Sequence, residues 1–204
     1  FGLRYLAGTP VLLLSFAVDI AAMVLAMPRA LFPAAAQGQF RGAPNAVGWL
    51  FAAIALGSVV AGLTSGWIAR VRRQGVALVI AVVAWGLAVA AAGWAHNLWL
   101  AVLFLAVGGA ADLVSAVYRQ TILQTYAPDE LRGRMQGVFT AVVAGGPRLG
   151  DLRAGAMAAP ALGLGVAGSW IIGGIAASAV AVLLAVLFPA LLRYTVGTVR
   201  PAVD

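Results

Sequence analysis

Five charged side chains stand where charge is costly. Asp19, Asp112, Arg148, Asp151 and Arg153 each lie well inside a long apolar run. A charge at the centre of a hydrocarbon layer costs about 2.5–3.5 kcal/mol on insertion scales, so such residues face a cavity or one another. Asp19 falls near the middle of its run. A carboxylate there that takes up and releases a proton near neutral pH suits proton-coupled transport; a hydrogen bond to Ser or Thr on a neighbouring helix is the structural alternative. Asp112 stands two helical turns before Arg119 on one face, so the two are expected to pair as a latch. Arg148 and Asp151, three apart on one helix face, form either a local ion pair or an anion-binding or proton-linked cluster. Arg153 points elsewhere and requires another partner, a headgroup or a substrate. These five are the candidates for substrate binding and proton coupling.

Other chemistry has no visible site. His96 is the single histidine and there is no cysteine, so no metal constellation and no disulfide is expected. His96 reads as a solvated turn residue. No nucleophile elbow, no zinc-protease motif and no phosphate-binding loop occurs, and no cofactor is implied. An intramembrane enzyme would need a nucleophile–base pair that the sequence does not display.

The elements that must hold these charges follow from composition. Of the 204 residues, 63% are hydrophobic and 9% charged, against about 25% charged in a soluble domain. Mean hydropathy is +1.02. A soluble enzyme, a disordered tail and a disulfide-stapled module are excluded; an all-α polytopic membrane protein remains. A hydrocarbon core of about 30 Å needs about 20 apolar residues per helix. Six spans qualify, at 10–32, 46–69, 75–95, 98–118, 134–162 and 169–194. The first is expected to kink at Pro28 and the fifth to break at Gly145-Gly146-Pro147, a hinge whose freed carbonyls must line a cavity. Trp49, Trp67, Trp94, Trp99, Trp170 and Tyr194 mark span ends; Trp85 falls mid-span. Gly62 and Gly66 form one small-residue packing step. The 4–5 connection, 119–133, is expected to be a longer loop, with Pro128-Asp129-Glu130 starting the next helix. Span 3 carries no charge and span 6 only Arg193 next to its end, so spans 1, 4 and 5 should line an interior while 3 and 6 face lipid.

Charge gives the orientation. All thirteen basic residues are arginine, and the net charge is +7. Arg4, Arg70, Arg72, Arg73, Arg119, Arg132, Arg134, Arg193 and Arg200 fall on the face shared by the termini; Arg29 and Arg41 fall opposite. This places both termini in the cytoplasm and the protein, multi-pass, in the cell (inner or plasma) membrane. The basic excess therefore meets the bilayer surface, not nucleic acid. The chain opens at Phe1 inside a helix-like stretch, which reads as part of a longer polypeptide.

The motifs resemble one half of a major facilitator superfamily transporter. Gly66-Trp67-Ile68-Ala69-Arg70-Val71-Arg72-Arg73 is similar to a shortened form of the superfamily's G-x-x-x-D-R-x-G-R-R loop without its Asp, as in the second half. Gly66, Arg70, Arg72 and Arg73, with Arg119, Arg132 and Arg134, are thereby gating-loop candidates. Gly2-Leu3-Arg4-Tyr5-Leu6, Met27-Pro28-Arg29-Ala30-Leu31-Phe32-Pro33, the stretch from Gln124 through Ala127-Pro128-Asp129-Glu130-Leu131-Arg132-Gly133-Arg134, and Gly146-Pro147-Arg148-Leu149-Gly150-Asp151 resemble the C-terminal half of the exporter branch that includes siderophore exporters. Gly146-Pro147-x-x-Gly150 is also similar to part of the signature of proton antiporters.

The resemblance implies six helices as one half-domain over 1–204, with the N-terminal half missing or replaced by a second copy. It implies alternating access and proton-driven efflux of a small molecule, an anionic siderophore or a drug, attracted by Arg148 or Arg153. The alternative is a non-transporting membrane module that binds a partner through spans 3 and 6.

Overall fold

The computed structural model describes residues 8–126 and 129–195, and every described element is helical. Helix α1 is Pro10–Leu25, a 3-10 turn covers Arg29–Leu31, and α2 is Phe32–Gln37. Then come α3 (Ala46–Leu63), a 3-10 turn at Ser65–Arg70, α4 (Gln74–Trp94) and α5 (Leu98–Tyr126). Helix α6 (Asp129–Ala158), a 3-10 turn at Pro160–Leu162 and α7 (Gly165–Leu187) complete the order. Five of these segments are long and apolar enough to cross a membrane: Pro10–Gln37, Ala46–Leu63, Gln74–Trp94, Leu98–Tyr126 and Gly165–Leu187. The protein is an all-α membrane protein.

Local chemistry sets the ends. Pro10 opens α1, where its missing N–H costs nothing. Pro28 ends regular helix as expected, and the chain resumes in a short α2 with Pro33 in its first turn. Asn97 caps α5, its Oδ1 accepting the Leu100 N–H at 2.8 Å. Gln39 Nε2 closes the far end of α4 by donating to the carbonyls of Ala95 and Gly93 at 2.8 and 3.1 Å. Gly163 and Gly165 turn the chain into α7 with φ of 65° and 62°, where a side chain would be strained.

Glycine lets the helices meet at backbone distance. Gly57 of α3 lies against the Ala106 carbonyl, and Gly109 of α5 against Ile54, a reciprocal pair that locks α3 to α5. Gly86 and Gly174 do the same for α4 and α7. Gly146 and Gly150 of α6 lie on Met23 of α1. The Gly62–Gly66 step plays no such part: Gly66 faces open space.

Three of these expectations are corrected. Helix α6 runs unbroken through Gly145-Gly146-Pro147, and Gly146 with Gly150 packs it against Met23 of α1, while Gly145 faces open space. The 119–133 connection is not a loop: α5 continues to Tyr126 and α6 begins at Asp129. At 29 and 30 residues, these two helices are each about 44 Å long and outrun the hydrocarbon layer. Span 3 is not an outer helix: α4 is 56% buried over its apolar window, the most of the five, because it sits between α5 and α7. Span 6 does present an apolar outer face, with Ile172, Ile175, Val182, Leu183 and Val186 exposed.

Residues 1–7, 127–128 and 196–204 are outside the described set, and with them fall Arg4, the Gly2–Leu6 motif, Pro128 and Arg200.

Candidate functional site

Asp19 projects from the middle of α1 into the bundle, where apolar neighbours Phe16, Val18 and Ala22 exclude solvent. Its Oδ1 forms an ion pair with Nη1 of Arg119, which projects from α5; each side chain is 4% exposed. Arg119 Nε also donates to the Ser115 carbonyl at 3.3 Å, and Nη2 reaches Ser115 Oγ at 3.5 Å. Ser115 Oγ in turn donates to the Asp112 carbonyl at 2.8 Å. The second Asp19 oxygen, Oδ2, is buried with no hydrogen-bond partner. A desolvated, half-satisfied carboxylate beside a guanidinium is an unstable balance that a proton or a ligand can tip.

Asp19 lines a partly open cavity of about 160 Å³ between the helices. Asp19, Met23, Met27 and Arg29 line it from the α1 side, Val82 and Trp85 from α4, Asp112 and Ser115 from α5, and Val143 and Pro147 from α6. Pro147 has no N–H to give the Val143 carbonyl, so an acceptor one turn back is left without its helical donor beside the cavity. Two carboxylates, one hydroxyl, one guanidinium and one indole therefore converge on a single space.

Arg119 is thus no gating-loop residue. It lies deep in α5, and it pairs with Asp19 instead of Asp112. Asp112 is partly buried and lines the same cavity as Arg29. Arg29 is exposed and, just past the break at Pro28, also lines the cavity. Nor does Asp19 rest on a Ser or Thr.

The remaining candidates separate. Arg148 is exposed and makes no ion pair with Asp151. Asp151 Oδ1 is buried without a hydrogen-bond partner. Arg153 lies against Gly173 of α7 and donates to Met157 Sδ at 3.1 Å. Neither Asp151 nor Arg153 lines the cavity. The expected Arg148–Asp151 pair does not form: Arg148 faces out, while Asp151 turns a buried oxygen toward the bundle.

The other arginines gather at one end. Arg70, Arg72 and Arg73 are exposed around the 3-10 turn and the start of α4, and Gly66 is exposed before them. Arg132 and Arg134 are exposed in the first turns of α6. Tyr126 and Tyr194 stack at 5.7 Å there, and Gly75 meets Leu191. At the same end Gln120 Nε2 donates to Gln136 Oε1 at 3.0 Å, tying α5 to α6. His96 is exposed at the opposite end, near the Trp49–Trp99 contact of 5.1 Å.

A family model described as the Major Facilitator Superfamily matches residues 14–201. The enterobactin exporter EntS of Shigella flexneri is 33% identical over 158 residues, which is 78% of this chain and 37% of that protein. The enterobactin exporters of Escherichia coli O81 (strain ED1a) and O139:H28 (strain E24377A / ETEC) are each 32% identical over 162 residues, 78% of this chain and 38% of theirs. The chain thus spans less than two-fifths of the length of the curated relatives it matches. No solved structure matches it at a significant level.

Proposed function

From the premise that the chain belongs to the Major Facilitator Superfamily, we propose that it is half of a proton-coupled secondary exporter of small organic molecules, with siderophores as the first candidate substrates. The observation that carries this reading is the buried Asp19–Arg119 pair, with Asp19 on the wall of a cavity that Asp112, Ser115 and Arg29 also line. Intramembrane ion pairs of this kind are retained for proton or substrate relays, not for stability.

The residues divide the work. Asp19 exchanges a proton. When it is protonated, its hold on Arg119 weakens, and the guanidinium is free to turn to an anionic group or to Asp112. Protonation thereby changes which helix α5 is tied to. That difference is the differential interaction that shifts a two-state equilibrium. Arg29 and Asp112 set the charge at the far wall, and Trp85 offers a flat apolar surface. Alternating access then arises from rocking of this half against a second six-helix half, which closes the transport path. The arginine-rich end is cytoplasmic by the positive-inside rule, and the membrane is the inner or plasma membrane. The siderophore assignment rests on the kinship with enterobactin exporters.

Deletion of the complete gene, with metabolites profiled inside cells and in the medium with and without iron, tests the substrate. An iron-binding compound that accumulates inside and disappears outside only under iron limitation supports the reading. A compound unrelated to iron transfers the exporter to the drug or metabolite class. An unchanged profile together with no flux from purified protein in vesicles overturns export altogether.

A further inference from the structure

A second site lies on the outside of the bundle and shares no lining residue with the cavity beside Asp19. A groove of about 470 Å³ opens between α3, α4 and α5, lined almost wholly by apolar atoms. Val60, Thr64 and Trp67 form one wall, Ile80 of α4 another, and Val114 and Tyr118 of α5 the third. Its rim is open to the surroundings: Val60 is 60% and Ile80 63% exposed. Along α5 the lining runs from Ala110 to Tyr118, about 12 Å at 1.5 Å per residue, close to the roughly 15 Å of hydrocarbon in one leaflet.

The groove has a charged mouth. Trp67 lies within the 3-10 turn Ser65–Arg70. In a 3-10 turn, residues i and i+3 eclipse, so Arg70 stands directly above Trp67. Arg72 and Arg73 follow at once, all three are exposed, and no acidic residue occurs between Asp19 and Asp112 to neutralise them. The turn itself is pinned, because Tyr118 Oη donates to the Ile68 carbonyl at 3.3 Å from beneath. Three guanidinium forks at headgroup level over an apolar slot one leaflet deep match one kind of molecule.

We propose that this groove binds an anionic phospholipid, with an acyl chain between α3, α4 and α5 and its phosphate on Arg70, Arg72 and Arg73. The indole of Trp67 sits at the boundary between the two, the depth that such rings favour. Occupancy ties the α3–α4 turn to α5, so the bound lipid braces the basic end of the half-domain.

The test uses the full-length protein in nanodiscs of 3:1 phosphatidylcholine and phosphatidylglycerol, released into a mass spectrometer to count retained lipids. The wild type should retain phosphatidylglycerol above its share in the disc. Arg70→Gln/Arg72→Gln/Arg73→Gln should lower that retention at least about tenfold, and the triple Lys variant should restore much of it. Val60→Trp, which adds bulk at an exposed groove position, should also lower retention with the arginines intact. Thermal unfolding of each variant establishes that it is folded. Equal retention of both lipids in the wild type overturns the proposal. So does loss on groove filling without loss on arginine removal, which means a neutral lipid, or the reverse, which means surface charge alone.

Discussion

At the scale of the residue, the Asp19–Arg119 pair decides how α1 and α5 are held. Burying two charges is costly, and removing one partner leaves the other stranded in a low-dielectric site. Arg119→Gln should therefore destabilise the folded protein by about 3–5 kcal/mol, and Asp19→Asn/Arg119→Gln should recover most of that loss. Chemical unfolding of the detergent-solubilised full-length protein measures both; equal loss in the single and double variants would show that the two charges are not coupled. Arg148 provides the contrast. It is exposed and unpaired with Asp151, so Arg148→Gln should change stability by no more than about 0.5 kcal/mol. A loss of several kcal/mol would mean that it is buried against another part of the complete protein. Asp19 was legible in the sequence because a carboxylate in the middle of an apolar run has few explanations. Arg119 was misread because its position after Tyr118 coincides with the end of the hydropathic run, although the helix goes on for another seven residues.

At the scale of the element, hydropathy located five of the six expected spans; the fifth, 134–162, falls on α6, which is not among the helices long and apolar enough to cross a membrane. Helix α4 was expected at 75–95 and is Gln74–Trp94; α7 was expected at 169–194 and is Gly165–Leu187. Apolar runs report the membrane, whereas helix ends report caps and turns, and α5 and α6 extend past the membrane into polar sequence that still favours helix. The glycines show a sharper limit. Gly145, Gly146 and Pro147 read as a break because glycine and proline weaken an isolated helix. In the bundle the two glycines differ completely. A Cβ on Gly145 meets nothing within 4 Å, while one on Gly146 meets Met23 Sδ at 3.0 Å. Gly145→Ala should be tolerated and even stabilise by about 0.5–1 kcal/mol, whereas Gly146→Leu should push α6 from α1 and destabilise by about 1–3 kcal/mol. Melting temperatures of the two variants give the comparison. Similar losses at both positions would mean that the segment acts as the flexible hinge first expected.

At the scale of the whole molecule, the distribution of charge explains the architecture. Acidic and basic groups meet in one interior cavity, arginines crowd one end, and the outer faces of α4 and α7 are apolar. Composition and span counting conveyed the fold class and the crowding of arginines. They could not convey that α4 is the most enclosed helix, because lack of charge is shared by lipid-facing and buried helices alike. In the proposed mechanism protonation at Asp19 drives transport. Substrate flux by the full-length protein in vesicles under an imposed pH gradient, wild type against Asp19→Asn, tests this. Flux in the wild type should follow the gradient, and the variant should lose gradient-driven flux while still exchanging substrate for substrate at equal pH. Undiminished gradient-driven flux in Asp19→Asn would contradict the claim and move the coupling proton elsewhere.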